Sequence, residues 1–336
     1  MPAETTLLLE GGAAGRPQRW AEEPTPEVLS FTVGGRDLMA LRLRAVTLST
    51  PFSKLTTDVR ATEPEWNTVP SEAQAAVIPA QPVDADSRRL EILKQSIRYG
   101  ASYSEHYFID LSGSFVEYLS KLSQNSRHNL RRRVRRFTEF SGGQIRWARY
   151  CSVEQVSEFY RLATAVSGRS WNEGVGGPGF SRTLSEERVR GLASQDRSRG
   201  YLLFDGESPI AFAYCEIHGK DVAYVKIGYD QDYSKWSPGT VLFYLLLESL
   251  FAEAKYDCFD FKEGELWYKS MLATGSKRCA RIIYFRRNLR NLALVTTHWA
   301  LGALSRAAGR ALSLLKLKEA IKRTMMGKLY RPGEEA

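Results

Sequence analysis

The chain has 336 residues, 43% of them hydrophobic and 25% charged, with a net charge of +9. That composition is globular, with ample apolar content for a core, and the length suits two domains or one large domain with extensions. Cys151, Cys215, Cys258 and Cys279 are scattered without a C-x-x-C pair, and the four histidines show no ligand spacing, which excludes a zinc site or a disulfide framework and fits a reducing compartment.

No metal is expected. Met1 to Trp20 lacks the basic, apolar and small-residue order of a secretory signal, and no apolar run reaches the ~18 residues of a membrane span. A cytoplasmic setting follows as the expectation. The charge is unevenly placed: Lys277 to Arg331 holds fourteen Lys/Arg against Glu319 alone, so the remainder of the chain is net acidic. A basic tail on such a body points to an anionic partner surface.

In chain order, residues 1–28 are rich in Gly, Pro, Glu and Ala without periodicity and are expected to be disordered. Val28 to Val33 alternates as a strand and stops at Gly34-Gly35, before a second apolar run from Leu38 to Leu48. Residues 49–90, punctuated by five prolines, read as irregular. Ser102 to Leu111 is the next strand. Phe115, Tyr118, Leu119 and Leu122 recur at helical spacing, and Ser126 opens a second helix, Arg127 to Phe140, stopped by Gly142-Gly143. Ile145 to Tyr150 reads as a strand, and Val153 to Ser167 and Ser185 to Gln195 as helices.

After Gly200 the pattern becomes an antiparallel meander of Tyr201–Phe204, Ile210–Ile217 and Val222–Tyr229, linked by Asp205-Gly206-Glu207 and His218-Gly219-Lys220. An apolar helix, Val241 to Ala254, leads to a strand at Cys258–Lys262. A short helix at Leu266–Leu272 and a strand at Arg278–Arg286 follow.

Ser237-Pro238-Gly239-Thr240 before the apolar helix has the chemistry of an anion site. Ser237 is a good N-cap, Pro238 suits the first helical position, and Gly239 keeps a side chain off the backbone. The N–H groups and dipole of the helix then face an anion such as a pyrophosphate. A capped structural helix without a ligand is the alternative.

The order meander, tight turn, buried helix, strand, short helix, strand resembles the C-terminal half of a GNAT-like N-acyltransferase domain. Lys226-Ile227-Gly228-Tyr229-Asp230, Ser237 to Leu242, Phe259-Asp260-Phe261 with Gly264, and Tyr268-Lys269 are similar to the CelD/BcsL acetyltransferase family. Arg169-Ser170-Trp171 and the basic helix Arg127–Arg136 share that likeness, which spans roughly residues 107–287. The resemblance implies an α/β fold with a mixed sheet flanked by helices. It also implies acyl-CoA, acetyl-CoA foremost, as donor, and a role in cell-envelope or exopolysaccharide synthesis. Its acceptor would be an amine, an amino sugar or a lipid-linked sugar. The Q/R-x-x-G-x-G/A pyrophosphate loop of most GNAT domains is absent, as it is in the family resembled. A more distant resemblance, to Fem-type aminoacyl-tRNA-dependent transferases, would make residues 29–110 a partial first GNAT-like half beside a domain at 111–288.

Acyl transfer needs a base for the acceptor, a holder for the oxyanion and an acid for the leaving thiolate. Asp260, mid-strand, or Glu263, just beyond it, is the expected base, with a pKa raised by apolar neighbours. Tyr268 suits the acid, and Lys269 either pairs with Asp260 or binds an anionic substrate. Arg169, Trp171, Lys226 and Tyr229 are expected at the substrate, with Gly174 to Gly179 as a covering loop. Glu216, interrupting an aromatic strand, is a weaker acceptor contact. The arginines of the 127–136 helix form either a solvated face or a site for carrier phosphates, tRNA or an anionic glycan. Residues 289–336 read as a basic amphipathic tail, either lying on an anionic membrane or packed on the protein's own body.

Overall fold

The computed structural model describes residues 24–33, 36–48, 51–55, 57–58, 62–170, 179–262 and 267–314. Strands β1 (Thr25–Val33), β2 (Arg36–Thr47), β3 (Ala75–Pro82), β4 (Leu90–Ile92) and β5 (Ser96–Asp110) come first. Helices α1 (Phe115–Lys121) and α2 (Gln124–Phe140) follow, then β6 (Trp147–Tyr150), α3 (Val153–Ser167), α4 (Phe180–Thr183) and α5 (Glu186–Ala193). The meander is β7 (Ser198–Asp205), β8 (Ser208–His218) and β9 (Asp221–Tyr229). A 3₁₀ turn (Gln231–Trp236) precedes α6 (Pro238–Glu253), β10 (Cys258–Asp260), α7 (Trp267–Leu272), β11 (Gly275–Arg286) and α8 (Leu289–Leu314).

All eleven strands join one mixed sheet, ordered β1-β2-β3-β11-β5-β10-β9-β8-β7-β6, with β4 beside β5. Only β2–β3 and β10–β9 pair in parallel. The period-2 pattern of the meander sorts its side chains to two faces. Tyr201, Leu203, Ala211 and Ala213 meet α1, α2 and α6 on one side. Leu202, Phe204, Phe212 and Tyr214 meet α3, α4 and α5 on the other. The strong hydrophobicity of α6 is explained by its place, with Val241, Leu242, Leu246 and Leu250 buried against the first face.

Three expectations are corrected, and of the two readings left open for the C-terminal segment the described part of its helix takes the packed one. The span expected to be disordered, 1–28, includes the start of β1 at Thr25, which pairs with Ala45; residues 1–23 lie outside the described residues, as does the Gly34-Gly35 turn. The irregular span 49–90 contains β3, whose Ala75 to Ile78 are fully buried between β2 and β11. Its prolines disguise it. Parallel pairing to β2 stops at Val77, and the register to β11 shifts around Pro79, so no ladder hydrogen bond is demanded of a residue that cannot donate. Helix α2 starts one turn earlier than expected, because Ser123, not Ser126, accepts the capping bond from Ser126 N (3.1 Å). The C-terminal helix α8 packs on the protein itself through Leu292, Val295 and Leu301, against Leu29, Phe31 and Tyr99.

Candidate functional site

β9 and β10 pair only from Asp221–Cys258 to Ala223–Asp260. Beyond that rung β9 runs on to Tyr229 while the chain after β10 turns away. The ladder therefore opens into a cleft of about 350 Å³, walled by Tyr224, Ile227 and Tyr229 from β9, Gly239 and Thr240 from α6, and Tyr268 from α7. A register shift between Tyr214 and Cys215, opposite the Tyr224–Lys226 stretch of β9, bends the strand at its mouth.

The α6 N-terminus reaches the cleft as expected, but its cap differs. Ser237 is left-handed (φ 54°) and makes no side-chain cap, so the expectation of an N-cap hydroxyl is corrected. Its carbonyl instead accepts from Thr240 N (3.0 Å) and Val241 N (3.1 Å), and Pro238 takes the first helical position without an orphaned N–H. Gly239 serves packing as well as access: a Cβ there would stand 3.2 Å from Tyr229 Cδ1. Arg133 of α2 donates from Nη1 to Thr240 Oγ1 (2.9 Å), which fixes a guanidinium beside the helix mouth. A cation and a helix N-terminus at one cleft form an anion-binding arrangement.

Three phenols line the cleft, those of Tyr224, Tyr229 and Tyr268. Tyr224 is buried, its hydroxyl has no hydrogen-bond partner among the described residues, and burial, with lesser contributions from Tyr268 and Cys215, pushes its pKa well up. Burial also raises the Tyr268 phenol. The Tyr224 and Tyr268 rings pack on Phe261, at 6.3 and 6.4 Å between centroids.

The other expected residues divide. Asp260 does not face this cleft. Phe259 and Phe261 point into the core with α6, so alternation turns Asp260 to the opposite face of the sheet. There it accepts from His106 of β5, Nε2 to Oδ1 2.5 Å, and from Lys262 N at 2.7 Å. Burial pushes its carboxyl up, but the His106 bond and charge, with Lys262, outweigh that and hold it below the ordinary range, so the expectation of a raised pKa is corrected.

The expected Asp260–Lys269 pair is therefore corrected. Lys269 is buried and donates to the carbonyls of Phe261 (3.0 Å) and Lys262 (3.2 Å), tying down the segment after β10. Arg169 bridges Asp230 (2.5 Å) and donates to Pro209 O, which makes it a clamp on the loop that carries Ser170 and Gln231 to the cleft. Lys226 lies on β9 opposite Tyr214 and is not among the cleft-wall residues. Glu216 is matched by Arg188 (3.1 Å) and His218 (3.5 Å). Glu263, Trp171 and the Gly174–Pro178 part of the covering loop lie outside the described residues. Among the described residues no cluster could hold a metal ion.

Tyr224 and His106 escape a reading of the sequence. Tyr224 sits in an aromatic core strand, and the partner of His106 lies 154 positions away.

Residues 124–270 match the family model described as an acetyltransferase (GNAT) domain. The structure is similar to FemX, with TM-score 0.52 and 10% identity, covering 81% of this chain and 90% of that one. The fold is GNAT-like. Weaker likenesses include L-PGS from Bacillus licheniformis (TM-score 0.38, 14% identity, 66% of this chain and 71% of that one). Another is a PaiA N-acetyltransferase from Thermoplasma acidophilum in complex with coenzyme A (TM-score 0.26, 13% identity, 33% and 75%). No curated protein matches the chain. Within the GNAT-like core, the parted strands β9 and β10 and the α6 N-terminus all fall inside the matched segment.

Proposed function

We propose that the protein is an acyltransferase that moves an acyl group from acyl-CoA, acetyl-CoA foremost, to an amine or hydroxyl acceptor. The reading is carried by one observation: β9 parts from β10 at a cleft that gathers a helix N-terminus, the Arg133 guanidinium, the buried Tyr224 phenol and the half-buried Tyr268 phenol. The cation and helix end suit the donor's phosphates, and the apolar walls suit its acyl arm. Tyr224, whose buried hydroxyl has no partner among the described residues, suits the thioester carbonyl and the oxyanion formed from it. Tyr268, a phenol protonated at neutral pH, suits the departing thiolate. The motif order shared with the CelD/BcsL family supports a glycan, amino-sugar or lipid-linked acceptor of the cell envelope, and the basic C-terminal segment supports an anionic membrane surface as partner.

A charged tRNA is the alternative donor, favoured by Arg131, Arg132, Arg135 and Arg136, which are exposed along α2 beside Arg133. Calorimetric titration separates the two. The full chain should bind CoA saturably, and Arg133→Leu should weaken binding roughly 10- to 100-fold, the loss of about 1.5–3 kcal/mol from a hydrogen bond to a charged group. Acyl transfer from charged tRNA but not from any thioester would replace the first reading by the second. Transfer from neither would sink both.

A further inference from the structure

A second cavity, of about 550 Å³, lies on the opposite face of the sheet, between the N-terminal strands and α5. Resting on the acyltransferase reading above, we infer that this cavity receives the acyl acceptor as an amine with an apolar flank, and that His106, oriented by Asp260, takes its proton.

Position comes first. Ala223 and Asp260, the last paired rung of β9 and β10, line this cavity, while Tyr224, the next residue on β9, lines the donor cleft. The two hollows thus abut at the point where the ladder ends. A nucleophile entering from one face meets there a carbonyl held from the other.

Proton inventory comes second. Asp260 is held ionised and accepts, which puts the hydrogen of the 2.5 Å bond on His106 Nε2 and leaves Nδ1 as the ring nitrogen outside that bond. The His106 bond to Asp260 runs through Nε2 alone. Phe52 stacks on the imidazole at 4.2 Å between centroids and fixes its plane.

The substrate class follows from charge. Glu216 is matched by Arg188, but among the described residues Asp221 accepts only from Ser53, N at 2.7 Å and Oγ at 2.6 Å. Asp260 is already met by His106 and the charge of Lys262, so Asp221 is the carboxylate of the lining that suits an incoming ammonium. The facing wall of Leu48, Phe52, Leu55 and Ile78 is apolar.

In the step, the ammonium gives one proton to His106 Nδ1, and the freed nitrogen lone pair forms the C–N bond. As the C–S bond breaks, the thiolate takes the Tyr268 proton, and the surplus nitrogen proton restores the phenol. His106 then returns its proton to solvent.

Two measurements on the full chain test this. Glucosamine and hexylamine are titrated while the His106 imidazole ¹⁵N signals are followed. At least one should shift them saturably, Asp221→Asn should weaken that binding about tenfold or more, and N-acetylglucosamine should leave them unmoved. No shift with either amine would overturn the assignment of the cavity, whether or not CoA binds. With acetyl-CoA and the amine that binds, His106→Ala and the shape-preserving His106→Gln should each lower transfer ~10²-fold, the scale of a lost general base. CoA affinity should be unchanged, and added imidazole should restore transfer to the Ala variant. Normal transfer in either folded variant, or a loss that imidazole leaves untouched, overturns the role of His106. Failure of the wild-type chain to bind CoA would instead sink the donor reading, with the amine titration still deciding the cavity.

Discussion

Tyr224 and Tyr268 share a cleft yet carry different costs. An unpartnered buried hydroxyl costs about 1–3 kcal/mol, so Tyr224→Phe should raise the melting temperature by a few degrees while lowering turnover. Tyr268→Phe should lower kcat ~10²-fold with little change in CoA affinity. Calorimetry and steady-state kinetics on both variants check the contrast, and a Tyr224→Phe chain that is no more stable would show that the hydroxyl is satisfied.

Asp260 carries a pH signature. Its folded pKa lies below the ordinary 3.8, so its stabilising contribution is fully present above that pH and is lost as pH falls through the lower folded value. Asp260→Asn should therefore flatten the acid limb of a stability–pH curve, measured by thermal melts from neutral to acid pH. The phenylalanines flanking Asp260 were legible, but the expectation of a base at the donor cleft left out the face to which they turn it. The partner of Asp260 was not legible, since nothing local marks His106 as opposite β10.

At the scale of elements, the meander, α6 and the strand–short helix–strand ending were all legible, because strong periodicity and sharp turns bound them. β3 was hidden by prolines and small residues whose burial depends on neighbours far along the chain. The α8 helix was legible as a helix, but its contacts were not. Val295 is 0% exposed against β1 and β5, whereas Trp299 remains 45% exposed and Leu304 67%. Val295→Ala should cost about 2 kcal/mol of unfolding free energy, a core truncation, measurable by urea titration. A change within error would mean that the helix detaches freely.

At the scale of the whole molecule, the charge asymmetry is a property of the sequence, concentrated toward its C-terminal end. Seven Lys/Arg follow Arg306, beyond the side chains that anchor α8. A chain ending at residue 306 should therefore keep its fold while losing salt-sensitive co-sedimentation with anionic liposomes. Each Lys or Arg near such a surface contributes about 1 kcal/mol. Equal sedimentation of both chains at low salt would locate the membrane contact elsewhere, or show that there is none.

The place of β11 has a bearing on biosynthesis. It threads between β3 and β5, pairing with Ala75–Pro82 on one side and Ser96–Phe108 on the other. A ribosome delivers those two early strands long before their shared neighbour, so they wait with exposed edges and an open apolar face. Such a nascent chain offers a template for wrong strand pairing until the last strand emerges. Translation speed and holdase capacity, rather than the final stability of the protein, should then limit the yield of folded molecules.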